Sequence, residues 1–163
     1  MIPLFDMLAH PTLSGHWLGH EGVAAFETLV KALDANGYIG ACAVGMTDVE
    51  GYADDAFVEA CGAWPVLTPI AGVNPRTCND LESLLKGLQT KGFKGIKVHP
   101  RFSGLDLAAP YMVEVFRAAG SVDMPVFFCT YYQTSIDRFP AQDPFFELVR
   151  ILKEAPDCRV VLS

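Results

Sequence analysis

The sequence predicts an α/β fold of parallel (β/α) repeats, an incomplete TIM-barrel-like domain of about five and a half units. Short apolar runs alternate with amphipathic helical stretches along the chain, and glycine or proline marks the junctions. No linker, low-complexity tract or block of like charge divides residues 1–163, which are read as a single domain. Alternation of this kind demands a parallel sheet with helices outside. A complete eight-stranded barrel takes about 250 residues. A chain of 163 residues therefore makes a partial barrel or, alternatively, an open doubly wound parallel sheet.

Each element has a local reason. Phe5 to His10 reads as the first strand, and Val23, Phe26, Leu29, Val30 and Leu33 recur at helical spacing until Gly37 stops the helix. Ile39 to Met46 is small and apolar, as a strand covered on both faces should be. A helix over Ala53 to Cys61 and a strand over Val66 to Val73 follow. Asn79 or Asp80 caps a third helix that carries Leu81, Leu84, Leu85 and Leu88 on one face, and Gly92 ends it. The fourth strand is Gly95 to His99 and the fourth helix Tyr111 to Ala119. Pro125 to Thr130 makes a fifth strand. Asp143-Pro144 opens a fifth helix with Phe145, Phe146, Leu148 and Val149 as its core face. Arg159 to Leu162 begins a sixth strand.

Composition narrows the function classes. With 51% hydrophobic and 19% charged residues the chain holds enough apolar side chains for a real core. The net charge of −7 and the lack of any basic run weigh against nucleic acid and anionic membranes as partners. No segment approaches the roughly 18–20 continuous apolar residues of a membrane span. The start, Met1 to Asp6, lacks the basic and apolar regions of a signal peptide. A cytoplasmic location follows as the expectation. The five cysteines, Cys42, Cys61, Cys78, Cys129 and Cys158, show no CxxC spacing and read as reduced thiols in or near a core.

The most informative stretch is Gly92-Phe-Lys-Gly-Ile-Lys-Val-His-Pro100, a strand whose tip carries Lys97 and His99. Ionisable residues at the C-terminal end of a strand are where α/β folds place chemistry. Three segments occur in order at βαβ spacing: K-G-I-K-V-H-P, then A-G-S-V-D-M-P-V-F-F-C-T, then P-D-C-R-V-V-L-S. With the opening F-D-M-L-A-H-P, which is similar to a first-strand D-x-H-x-H motif, the chain resembles the amidohydrolase superfamily of metal-dependent hydrolases, in its amidohydrolase-2-like branch. The resemblance implies a barrel cut after its sixth strand, and metal-activated water attacking an amide, ester or lactone carbonyl, or a related decarboxylation. It places His10 and Cys129 at metal-ligand positions, with Leu8 where a second first-strand histidine would stand. An eroded or incomplete metal site is therefore expected, holding a divalent metal such as zinc or none.

Several side chains are candidates, each with a plainer alternative. His10 is a ligand or proton carrier at the barrel mouth, or a strand-end histidine bonded in the turn before Pro11. Lys97 is a carboxylated metal bridge, a Schiff-base amine or a carboxylate-binding cation, or it snorkels outward from the helix side. His99, two residues on, shares the face of Lys97. That neighbour would keep it neutral as a general base, or else it is structural. Cys129 is a ligand or nucleophile, or inert packing. His16 and His20 stand at helical i, i+4 spacing around Trp17 as a weak metal pair, or as surface loop histidines. Arg101, Tyr131 and Tyr132 follow strand ends where a substrate would enter, and Arg101 suits a carboxylate.

Three functions follow. The first is an amidohydrolase-like hydrolase of a small molecule, with catalytic Lys97 and His99, substrate-binding Arg101 and Tyr131, and metal at His10 and Cys129. The second is a metal-free lyase or aldolase with a Schiff base on Lys97. The third is a non-catalytic half-barrel subunit. A homo-oligomer, or a second chain completing the barrel, is the expected assembly.

Overall fold

The computed structural model describes residues 2–17, 20–49, 51–130 and 144–163. Strand β1 (Leu4–Ala9) is followed by a small antiparallel hairpin, β2 (His16–Trp17) and β3 (His20–Val23). The repeat then sets in with α1 (Phe26–Ala35), β4 (Tyr38–Val44), α2 (Asp54–Gly62) and β5 (Leu67–Gly72). A 3-10 turn at Pro75–Thr77 leads to α3 (Leu81–Lys91), β6 (Ile96–Val98) and the four-residue α4 (Pro100–Ser103). Helix α5 (Pro110–Ser121), β7 (Val126–Phe128), α6 (Pro144–Glu154) and β8 (Val160–Leu162) complete the order.

Strands β1, β4, β5, β6, β7 and β8 pair in parallel, each beside its predecessor in the sheet. A doubly wound sheet reverses its order at a switch point. No such reversal occurs here, so the open-sheet alternative is replaced by a curled half-barrel with helices on one face.

The two faces of the sheet bury different things. Ala41, Ala43, Leu67, Ala71, Ile96, Val98, Val126 and Phe128 point outward into the layer with the helices, where Phe57, Leu85, Phe116 and Ile151 close the core. Each such large side chain contributes about 1.5–3 kcal/mol by leaving water. The alternate residues Cys42, Val44, Ile70 and Phe127, with Val161, form a second cluster on the concave face. That period of two puts Lys97 on the concave face, in register with Gly72 on one side and Phe127 on the other.

Local chemistry fixes the helix ends. Asp80 caps α3 by accepting the Ser83 backbone N–H at 3.0 Å. Gly92 ends the same helix at φ 112°, a conformation that costs a side-chain-bearing residue dearly. Two expectations are corrected. His16 and His20 do not share a helical turn: Trp17 pairs with His20 across the β2–β3 hairpin. On α6 only Leu148 of the expected core face is buried, joined by Ile151. Phe145, Phe146 and Val149 lie on the exposed side. The expected cap Asp143 and the candidates Tyr131 and Tyr132 fall outside the described residues. The five cysteines are free thiols, and only Cys78 is more than marginally exposed. Among the described residues no helix is long and apolar enough to cross a membrane.

Candidate functional site

The C-terminal ends of β1, β6, β7 and β8 meet at one rim, and they bring His10, Lys97, His99, Cys129 and Ser163 together there. His10, Lys97 and His99 sense one another's charge, and Lys97 also senses Cys129. Arg101 acts on His99 in the same way.

His10 is held on two sides. Its Nδ1–H donates to the Val44 carbonyl at 3.0 Å, and its ring stacks on Trp17 with centroids 5.2 Å apart and planes at 22°. Donation from Nδ1 leaves the Nε2 lone pair as the ring's acceptor. Burial pulls the His10 pKa below its ordinary value and Lys97 adds to this, while the Val44 bond and Asp6 oppose it. The imidazole is therefore neutral at pH 7.

Lys97 is only 2% exposed, although it carries an amine. Its Nζ donates to Ser163 Oγ at 2.5 Å, reaching across β7 to the end of β8. Among the described residues no carboxylate stands within ion-pair distance of it. Burial brings its pKa down to about 8.

His99 closes β6 and caps α4, its Nδ1 accepting the Phe102 N–H at 3.4 Å. The neutral ring then carries its proton on Nε2. Burial first, then the charges of Lys97, Arg101 and His10, push its pKa down to about 3. His99 is thus neutral at pH 7 and carries an Nε2–H. Arg101 lies over the Phe102 ring, 4.9 Å from the centroid.

Two hollows open beside these groups. One is lined by Gly72, Lys97, His99, Phe102 and Ser103, and Ser103 Oγ donates to Asp48 on its wall. The other is apolar and lined by Trp17, Met46, Tyr52 and Phe57.

Among the described residues no three His, Cys, Asp or Glu side chains stand close enough to hold one metal ion. A catalytic zinc site keeps three protein ligands. Leu8 supplies none, and the His99 Nδ1 lone pair is engaged by Phe102. The described residues alone do not fit a metal ion.

The sequence reading missed Ser163 as a site residue. Its signal was parity: Val161 faces the concave side, so Ser163 two residues on does too.

Solved structures share the architecture. A probable 2-pyrone-4,6-dicarboxylic acid hydrolase from Acinetobacter baumannii superposes with a TM-score of 0.69 at 20% identity, covering 99% of this chain and 58% of that one. An uncharacterized TIM-barrel protein from Bordetella bronchiseptica gives 0.72 at 13% identity, with 99% and 66% covered. A 5-carboxyvanillate decarboxylase from Novosphingobium aromaticivorans, complexed with manganese, gives 0.62 at 19% identity, with 83% and 48% covered. At these identities the likeness is one of fold, and the chain defines a TIM-barrel-like (β/α) half-barrel. It spans roughly half to two thirds of the length of these three proteins. No protein-family model matches the sequence, and no curated protein does.

Proposed function

We propose that this chain carries the catalytic rim of an amidohydrolase-like hydrolase that opens the carbonyl of a small ester, lactone or amide. One observation carries the reading. An almost fully buried lysine, with no carboxylate partner among the described residues, sits at the strand ends between two neutral histidines. Such groups move protons near neutral pH, where an ordinary lysine stays charged.

The roles follow from the geometry. Lys97 Nζ takes a proton from the attacking group and returns it to the leaving oxygen or nitrogen. His99 Nε2–H donates to the oxyanion that develops on the carbonyl, and its low basicity keeps it from leaving as an imidazolium. His10 presents its Nε2 lone pair and holds it still through Trp17 and Val44. Arg101 binds a substrate carboxylate as part of the same proposal.

Hydrolysis of p-nitrophenyl acetate and of a δ-lactone by the purified protein tests this. Lys97→Met is expected to lower kcat about 10²–10⁴-fold. Turnover unchanged in that variant overturns the proposal.

The same buried amine favours a second reading, an imine between Lys97 and a carbonyl substrate. Borohydride with pyruvate as the probe would then fix added mass on Lys97. An unmodified Lys97 peptide removes it. For the assembly, the outer strands β1 and β8 expose Leu4, Phe5, Met7 and Leu162. We propose that further β/α units cover them, from the same polypeptide or a second copy.

A further inference from the structure

We propose that Ser163 Oγ is a covalent nucleophile and Lys97 Nζ its general base, a serine–lysine pair acting on the acyl carbon of a small ester or lactone. This rests on the hydrolase reading above and names the group that attacks.

The hydroxyl and the amine lie 2.5 Å apart. They come from strand ends separated by β7, so the pair exists only because β6, β7 and β8 are in register. The Ser163 backbone is fixed on both sides. Its N–H donates to the Phe128 carbonyl at 3.0 Å, and its own carbonyl accepts the Thr130 N–H at 2.7 Å and the Thr130 hydroxyl at 3.1 Å. Its hydroxyl donates to the Phe128 carbonyl at 3.2 Å, so at rest Lys97 donates to Ser163 Oγ and the hydroxyl proton must turn from Phe128 to a neutral Lys97 before transfer. A serine so held loses little further freedom on reacting. Lys97 belongs to the protein interior, so the base is shielded from bulk water. The amine's low basicity, from burial, leaves about a tenth of it neutral at pH 7 and most of it neutral above pH 8.

Neutral Lys97 Nζ accepts the Ser163 hydroxyl proton as Oγ bonds to the acyl carbon. The tetrahedral oxyanion collapses, the acyl–oxygen bond to the leaving group breaks, and the Lys97 ammonium protonates the departing alkoxide. Water then attacks the Ser163 ester, gives its proton to Lys97, and releases the carboxylic acid, with Lys97 returning a proton to Ser163 Oγ.

An alkyl fluorophosphonate tests the pair directly. Serine attack on phosphorus expels fluoride and leaves a fixed mass, located by peptide mass spectrometry of the unaltered protein. The expected result is adduct on Ser163, with a labelling rate that rises with pH around 8. The other titratable groups facing Lys97 are His10, His99 and Cys129. The histidines already lose their protons well below that pH. Cys129→Ala, which removes that buried thiol, is expected to leave the pH midpoint in place. Lys97→Arg keeps a cation that cannot accept the proton, and is expected to slow labelling at least 100-fold while circular dichroism stays unchanged. Label absent from Ser163, or a Lys97→Arg rate equal to that of the original chain, overturns the proposal. Ester turnover with no label on Ser163 removes this pair and leaves the hydrolase reading standing. Label on Ser163 without turnover does the reverse.

Discussion

The rings of His10 and Trp17 stack with 5.2 Å between centroids, so a residue of the hairpin outside the sheet sets the orientation of an imidazole at the end of β1. Trp17→Ala removes that wall. We expect a stability loss of about 1 kcal/mol from the lost ring pair. The His10 pKa should rise toward its ordinary value as water reaches it. A proton NMR titration of the histidine ring signals measures the shift, and an unchanged His10 midpoint would count against this role for Trp17.

Acid should destabilise the protein through His99. Its folded pKa of about 3 lies below the ordinary 6.5, so the unfolded chain binds the extra proton between those values. Stability therefore rises with pH across that window and is flat in this term above it. Urea unfolding at pH 4 and pH 7 should differ by a few kcal/mol from this group. His99→Asn, which keeps a side-chain acceptor for the Phe102 N–H, should shrink the difference.

Lys97→Met should stabilise the fold while removing activity. The amine has a folded pKa of about 8 against 10.5 in a free chain, so its burial is a cost that is full below pH 8 and falls as pH rises to 10.5. A methionine of similar shape has no such cost and should add about 1–3 kcal/mol at pH 7. Chemical denaturation at pH 7 and pH 10 checks this. The variant's advantage should narrow at the higher value.

Gly72→Ala should be poorly tolerated. A Cβ there would lie 2.4 Å from the Thr47 backbone nitrogen and 3.0 Å from the Gly45 carbonyl oxygen, neither of which can swing aside as a side chain would. A loss of about 1–3 kcal/mol is expected by denaturant midpoint. Gly72 is also the register partner of Lys97, so lysine-dependent turnover should fall with it.

The (β/α) order was legible because each strand and helix carries its own pattern. Leu81, Leu85 and Leu88 mark the buried face of α3, and Gly92 its end. The β2–β3 hairpin was hidden because His16 and His20 also satisfy a helical spacing, and only cross-strand pairing separates the two. Helix α4 was hidden too, four residues being too short for any periodicity to show. On α6, Phe145 and Phe146 read as core because they are aromatic, yet the buried stripe runs through Leu148 and Ile151. At the rim, Lys97 and His99 stood out as ionisable groups ending an apolar strand. Ser163 did not, since a serine acquires meaning only from a lysine 66 positions away.

Because every sheet strand lies beside the one that precedes it in the sheet, the fold can be laid down in the direction of synthesis. Each emerging β/α unit finds its partner already in place, and of the earlier strands only β1 keeps an open edge. The bond from Lys97 to Ser163 departs from that order. It joins two units that do not touch through the sheet, and it forms only once the last described strand has docked. The pairing of amine and hydroxyl thus waits for β8, after β6 and β7 have closed their own ladder.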